Sequence, residues 1–312
     1  MKFIVEQKNS GGRLDRFLQE RLKDLSRSQI QKMIKAGEVL VNSKEVTAHH
    51  FLKVGEEIQV KGKKAKGKNE SQNSKVSGPR FKVEIVAEEK DFVVVNKPAG
   101  MVVHHDSSHK ENTLVDWLIE KYPEIKKVGD NESRPGIVHR LDKDVSGLMV
   151  VARTPEMFEY LKKQFQDRKT EKEYLALVHG MVSKDEDQIK RSIGRAKGET
   201  TMRARSQSGD KDREAVTQYK VEKRWKNFTL LRVKILTGRT HQIRVHLKAI
   251  GHSLVGDELY VTRDVKRKKQ QEKLGRVWLV ACKLGFRDLD GEWRKFQVKM
   301  PSELEKFLKK IR

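Results

Sequence analysis

The chain has 312 residues, enough for about two domains, and its 68 Lys and Arg against 44 Asp and Glu give a formal net charge of +24 at pH 7. An excess of base this large favours a nucleic-acid partner. The sequence contains no apolar run long enough to span a bilayer, and its single cysteine, Cys282, excludes an intramolecular disulfide and a thiolate zinc cluster, so a reducing cytoplasm is expected.

The first 60 residues predict a small basic module of two helices and a hairpin. Apolar residues recur at helical spacing in RLDRFLQERL (13–22) and in SRSQIQKMIKAG (26–37), and EVLVNSKEVT (38–47) alternates around a turn. The helical stretches carry three candidate RNA ligands: Arg13, Arg27 and Lys32. The alternative is a solvated helical face, but the overall charge favours RNA binding.

Residues 61–80, KGKKAKGKNESQNSKVSGPR, have almost no apolar side chains and carry six Lys and one Arg against one Glu. Such a stretch cannot bury enough surface to order itself, so it predicts a flexible basic linker. The linker divides the chain into domains 1–60 and 81–312. Residues 194–213, GRAKGETTMRARSQSGDKDR, are also basic and polar and are predicted to form a loop.

The part from 81 to 312 mixes strands and helices without a regular alternation. Strands are predicted in FKVEIVAEE (81–89), DFVVVNK (91–97), GLMVVART (147–154), KEYLALVHGMV (172–182), AVTQYKVEKRW (215–225), FTLLRVKILTG (228–238), VWLVACKLGF (277–286) and KFQVKM (295–300). Helices are predicted at 114–122, after Thr154-Pro155, in HQIRVHLKAIG (241–251), and at the C-terminus, where Ser302 and Glu305 form a capping box. Strands outnumber helices, so the predicted fold class is α+β with a mixed, largely antiparallel sheet.

HRLDKDVSG (139–147) places two acids within a basic stretch. It follows the Pro135-Gly136 turn and precedes a strand, so Asp142 lies on a turn held by rigid scaffold. An aspartate in that setting can act as a nucleophile or a general base. The alternative, which this segment alone favours, is an aspartate that caps the turn and pairs with Arg140 on the surface.

KILTGRTHQIRVHL (234–247) concentrates Arg239, His241, Gln242 and Arg244 around a glycine turn, which by itself predicts an anion-binding loop entering a helix. An arginine of this loop beside Asp142 would keep the carboxylate ionised.

Two other features are less specific. Tyr174, on a predicted strand, would by itself be a core residue. Three histidines, His104, His105 and His109, lie close in sequence, but no Cys or carboxylate recurs at metal spacing, so no metal site is predicted.

Taken together and in this order, four segments resemble the RluA-type family of pseudouridine synthases: NKPAGMVVHH (96–105), HRLDKDVSGLMVVA (139–152), KEYLALVHG (172–180) and LTGRTHQIRVHLKAIGHSLVGDELY (236–260). The N-terminal module resembles the αL RNA-binding module first described in a small-subunit ribosomal protein. Three positions depart from the family pattern: Val145 stands where it usually has Thr, Val280 where it often has His, and RDLDGE (287–292) lacks its His-Pro pair.

The resemblance implies that the chain isomerises uridine in RNA to pseudouridine without a cofactor or a metal. It implies that Asp142 is the catalytic aspartate and that Arg244 pairs with Asp142. It also implies that Tyr174 stacks on the base and helps to remove a proton after the new bond has formed. Arg140 would fill the gap left by the flipped nucleotide. The remaining expected RNA ligands of this region are His139, Arg239, His241 and Gln242.

Two other functions stay open at this point. One is a non-catalytic RNA-binding or ribosome-assembly factor. The other is an aspartate-dependent glycosidase, which would need a second carboxylate, and Asp144 is the near candidate. For the synthase, the expected substrate is large-subunit ribosomal RNA, with transfer RNA as the alternative, and the expected state is a monomer.

Overall fold

The computed structural model describes residues 1–22, 27–60, 81–105, 109, 111–196, 201–205, 209, 212–267 and 274–311. The predicted linker at 61–80 lies outside this part, as do the side chains of Arg27 and Lys32. The chain divides into two compact units, Met1–Lys75 and Val76–Arg312. Each unit has its own hydrophobic core.

The first unit packs two helices on a four-stranded antiparallel sheet of order β1-β4-β2-β3. Asn42 and Ser43 both have positive φ, 48° and 63°, the conformation of a two-residue hairpin turn, which confirms the predicted turn. Apolar residues of both helices, such as Leu18 and Ile30, pack on the sheet. Its elements are β1 (Lys2–Ile4), α1 (Leu14–Arg21), α2 (Arg27–Lys35), β2 (Val39–Val41), β3 (Lys44–Glu45) and β4 (Glu57–Val60).

The second unit is built on a nine-stranded sheet of order β5-β6-β7-β14-β8-β13-β12-β9, with β15 paired to β14. The β7–β14 pair is parallel and the other pairs are antiparallel, which confirms the predicted mixed, largely antiparallel α+β class. The strands are β5 (Glu84–Glu88), β6 (Phe92–Lys97), β7 (Ser146–Ala152), β8 (Glu171–His179), β9 (Glu186–Lys190), β12 (Val216–Trp225), β13 (Phe228–Ile235), β14 (Leu279–Arg287) and β15 (Trp293–Gln297).

Strand β7 shows why this sheet is covered on both faces. All seven of its residues are buried, and they alternate between two cores. Met149 and Val151 join one cluster, whereas Leu148 and Val150 join the other, as the two-residue period of a strand requires.

The helices of the second unit are α3 (Leu114–Lys121), α4 (Pro155–Gln166), α5 (Gln242–Ala249), α6 (Arg263–Arg267) and α7 (Ser302–Lys310). As predicted, the Thr154 hydroxyl caps α4 by accepting from the Met157 N–H. The predicted capping box at Ser302 is wrong: α7 begins at that residue and Pro301 is the N-cap, with its carbonyl accepting from Leu304 N–H.

The prediction of a loop over residues 194–213 is also wrong in part. Strands β10 (Ser192–Arg195) and β11 (Met202–Arg205) form a separate two-stranded antiparallel sheet there. The two strands pair with each other, and Ile193 of β10 also bridges Arg213, so backbone hydrogen bonds hold this hairpin without the apolar pattern that sequence reading depends on.

Candidate active site

The second unit contains a cavity of about 600 Å³ between the 139–145 turn, strand β8 and the loop that leads into α5. Eight of the predicted site residues line it: Asp142, Tyr174, Arg244, His139, Arg140, Arg239, His241 and Gln242. Three segments that are far apart in sequence therefore share one pocket.

The turn that carries Asp142 is anchored from beneath by a buried lysine. The Lys97 ammonium donates to the carbonyls of Pro98, Met101 and Lys143, at 2.9, 2.8 and 3.2 Å. Burial lowers the pKa of Lys97 to about 7, against an opposing attraction from Asp142. Val145, at the departure from the family pattern, is buried at the end of this turn, where its N–H donates to the Asp142 carbonyl.

Arg244 lies between two aspartates. Its Nη1 is 3.5 Å from Asp142 Oδ2, while its Nε and Nη2 donate to the carboxylate of Asp257 at 2.7 and 2.9 Å. Burial lowers the pKa of Arg244, but the hydrogen bonds and charge of Asp257, with the charge of Asp142, outweigh this and raise it overall. The predicted pairing with Asp142 is thus a charge contact, and the hydrogen bonds go to Asp257.

Sequence reasoning missed Asp257, which is 4% exposed and accepts four hydrogen bonds. Two come from Arg244, and two from the backbone N–H groups of Leu259 and Tyr260. The available signal was a pair of acids, Asp257 and Glu258, in an otherwise uncharged stretch, SLVGDELY (253–260).

The carboxylate of Asp142 is differently placed, with 19% of its side chain exposed. Within the described part of the chain it accepts no hydrogen bond, and its nearest charged contacts are Arg244 at 3.5 Å and His241 Nε2 at 3.9 Å. The acid is attracted by neighbouring positive charge while its oxygens stay open to the cavity.

Tyr174 lies in β8, opposite Val233 of β13 and Ala281 of β14. Burial, and then the negative charge of Asp142, raise the pKa of its phenol. The hydroxyl therefore stays protonated at neutral pH, and the ring forms an apolar wall of the cavity.

The other predicted ligands fall into two groups. His139 and Gln242 use their polar atoms within the chain: His139 Nε2 accepts from Val150 N–H at 3.0 Å, and the Gln242 amide bonds to the backbone of Val216 and Arg239. Burial lowers the pKa of His139 to about 3. By contrast, the Arg140 side chain is exposed, and that of Arg239 is partly exposed.

In the first unit, Arg13 makes a two-pronged ion pair with buried Asp15, at 3.0 and 2.9 Å. This contact lies at the beginning of α1, and the guanidinium of Arg13 therefore binds a carboxylate of its own unit. The structure does not describe the side chains of the other two predicted ligands, Arg27 and Lys32.

Two kinds of feature are absent from the described residues. No group of three or more His, Cys, Asp or Glu is placed to hold a metal ion. No helix in that part of the chain is long and apolar enough to cross a membrane.

Comparison with known families gives two matches. Residues 91–249 match the model described as RNA pseudouridylate synthase, and residues 12–58 match the S4 domain.

Similar whole proteins carry related names. The chain is 39% identical over 307 residues to an uncharacterized RNA pseudouridine synthase of Aquifex aeolicus, covering 96% of this chain and 93% of that protein. It is 38% identical over 260 residues to the ribosomal large subunit pseudouridine synthase D of Nitrosomonas europaea, covering 83% and 72%. Among solved structures, human RNA pseudouridylate synthase domain containing 1 matches with a TM-score of 0.58 and 28% identity, over 72% of this chain and 86% of that one.

Proposed function

The chain belongs to the RNA pseudouridylate synthase family and is an RNA-modifying isomerase, and we propose that Asp142 is its catalytic residue. In this proposal Asp142 acts on a uridine that is flipped into the cavity, and the substrate is large-subunit ribosomal RNA. The observation that carries the proposal is the pocket shared by Asp142, Tyr174 and Arg244.

The reaction sets requirements that this pocket meets. The bond between uracil N1 and the sugar C1′ must break, the uracil must turn, and its C5 must bond to C1′. C5 then loses its proton and N1 gains one, so atoms balance without a cofactor. An ionised carboxylate can begin this as a nucleophile at the sugar or as a base for a sugar proton. Both roles need free oxygens on Asp142, and the positive charge of Arg244 lies 3.5 Å from one of them without a hydrogen bond.

The cavity size supports base flipping. A volume of about 600 Å³ suits one nucleotide and is too small for a stacked helix, so the target uridine must leave its stack, at a few kcal/mol. We place the uracil against the ring of Tyr174, which is uncharged like the base. Arg140, exposed beside the cavity, is the residue proposed to fill the gap in the RNA.

Two observations support an RNA substrate, and a third favours ribosomal RNA. The first unit matches the S4 domain, and the chain carries a net charge of +24, which attracts phosphates. Several relatives are named ribosomal large subunit pseudouridine synthase D, so we assign large-subunit ribosomal RNA, with transfer RNA as the alternative. We further propose that the protein acts as a cytoplasmic monomer, and its single cysteine, Cys282, is in keeping with a reducing compartment.

The test uses Asp142→Asn with Asp144→Asn as its matched control, two residues along the same turn. Each purified protein is incubated with large-subunit ribosomal RNA and with transfer RNA, and pseudouridine is mapped by carbodiimide-dependent reverse-transcription stops. Asp142→Asn should bind RNA normally but lose at least about a thousandfold in single-turnover rate, the scale of losing a catalytic group. Asp144→Asn should stay active.

Three outcomes would contradict the proposal. Activity retained by Asp142→Asn would remove the aspartate from catalysis. Equal loss in Asp144→Asn would indicate a two-carboxylate mechanism of the glycosidase kind. Pseudouridine formed in transfer RNA but not in ribosomal RNA would show that transfer RNA is the substrate.

A further inference from the structure

His241 holds an unusual backbone position at the end of the pocket loop. It is the N-cap of α5 and has φ 54° and ψ 22°, the left-handed region. Residues other than glycine adopt this conformation only rarely, and histidine is one of those found there more often than most. The backbone at this position sets the direction in which the imidazole leaves the chain.

One nitrogen of the ring is committed to Tyr260. His241 Nδ1 lies 2.8 Å from the Tyr260 hydroxyl oxygen, which also accepts the backbone N–H of Met202 at 2.9 Å. Among the described residues, no other acceptor is within reach of the Tyr260 proton. The hydroxyl therefore donates to Nδ1, and this network assigns the imidazole proton to Nε2.

The other nitrogen faces the proposed catalytic acid. His241 Nε2 lies 3.9 Å from Asp142 Oδ1, whereas Arg244 Nη1 lies 3.5 Å from Oδ2. Each oxygen of Asp142 thus faces its own nitrogen, one on a neutral ring and one on a charged guanidinium. We propose that His241 is a positioning residue, whose Nε2–H, fixed by the Tyr260 hydroxyl, holds the Asp142 carboxylate in one orientation for attack on the nucleotide. The proposal rests on the assignment of Asp142 as the catalytic residue.

The charge state of His241 and its distance from Asp142 agree with this role. Burial lowers the pKa of His241, and the nearby Arg244 and Arg140 add to this against the attraction of Asp142, so the ring is neutral at pH 7. A separation of 3.9 Å is longer than a hydrogen bond and can shorten when a nucleotide closes the site.

The first experiment compares His241→Gln with His241→Asn. A glutamine amide reaches about as far as Nε2, whereas an asparagine amide reaches only as far as Nδ1. Asparagine tolerates the left-handed conformation better, so a purely structural role predicts that His241→Asn is the better substitute. The positioning role predicts the opposite order: the single-turnover rate at saturating RNA should be about tenfold higher in His241→Gln, the effect of one hydrogen bond.

The second experiment uses Tyr260→Phe, with Tyr122→Phe as the matched control because the Tyr122 hydroxyl donates to Glu88, which does not line the pocket. Imidazole ¹⁵N chemical shifts distinguish the two neutral tautomers, and His241→Gln identifies the His241 signals by their loss. Wild-type protein and Tyr122→Phe should show the proton on Nε2. Tyr260→Phe should show a mixture of tautomers and a lower single-turnover rate.

Each outcome decides the proposal. A rate for His241→Asn equal to or above that of His241→Gln, or a proton on Nδ1 in the wild type, would overturn it. The tautomer is read without any activity assay, so this result stands apart from the catalytic assignment. If Asp142→Asn is inactive while both His241 variants keep the wild-type rate, the positioning role fails and the proposed function stands.

Discussion

Replacing Asp257 by asparagine should lower the free energy of unfolding of the second unit by about 3 kcal/mol, the lower end of the range for removing one partner of a buried ion pair. The side chains of Arg244 and Asp257 are 7% and 0% exposed. The asparagine carbonyl could still accept from Leu259 and Tyr260, but its NH₂ group would face Arg244 Nε as donor against donor. Asp257→Ala, which also strands the two backbone N–H groups, should lose a further ~2 kcal/mol.

Urea denaturation followed by tryptophan fluorescence measures the loss in the free energy of unfolding of the second unit. All four tryptophans lie in the second unit: Trp117, Trp225, Trp278 and Trp293. Trp278 is fully buried, so its emission should change on unfolding. The midpoint and slope of the transition give the free energy of unfolding in water.

Asp288→Asn is the matched control. Asp288 also accepts from an arginine, Arg294, and from two backbone N–H groups, those of Asp290 and Glu292. Its arginine is 44% exposed, so solvent screening should limit the loss to less than about 1 kcal/mol. Equal losses in Asp257→Asn and Asp288→Asn would refute the reasoning, because burial of the guanidinium is the main difference between the two pairs.

Three further predictions test the rest of the molecule. Burial lowers the pKa of Lys97 from 10.5 to about 7, so between pH 7 and pH 10.5 the unfolded chain holds a proton that the folded chain lacks. The free energy of unfolding should therefore rise with pH in this range, by up to about 1.4 kcal/mol per pH unit. Urea titrations of Lys97→Met should lack that rise. Gly147→Ala should destabilise the second unit by more than about 2 kcal/mol, since φ is +127° and the new Cβ would overlap the Ala281 carbonyl, while Gly238→Ala meets open space and should leave the melting temperature unchanged. Removing residues 1–60 should weaken RNA binding and flatten the slope of log Kd against log salt in fluorescence anisotropy, and an unchanged slope would count against an RNA-binding role for the first unit.

The large sheet could be predicted because its strands carry their pattern in the sequence. The run SGLMVVA buries every residue of β7, and the Thr154-Pro155 pair marks the start of α4. The hairpin of β10 and β11 could not be predicted, because its stability comes from backbone pairing between polar strands. The capping box at Ser302 failed because Ser302 is already the first residue of α7, and Pro301, which has no capping side chain, takes the N-cap position.

The residues of the candidate site were predicted from short sequence motifs, and a motif does not say where each of its side chains points. The sequence predicts three RNA ligands in the loop before α5 and at its start: Arg239, His241 and Gln242. Gln242, at the first turn of α5, instead points inward and bonds to the backbone of Val216 and Arg239, while Arg239 keeps part of its side chain exposed. Helical periodicity fixes which residues share a face, but the packing of α5 against the sheet decides which face is buried.

The pair of aspartates explains how one arginine can attract the carboxylate of Asp142 without occupying its oxygens. If Asp142 took both short hydrogen bonds of Arg244, its lone pairs would be occupied and its basicity and nucleophilicity would fall. Asp257 takes those bonds instead and leaves Nη1 facing Asp142 from 3.5 Å. The same carboxylate accepts the N–H of Tyr260, whose hydroxyl holds His241. Asp257 therefore positions the donors on both sides of Asp142, and its loss should disturb the proposed catalytic acid as well as the fold.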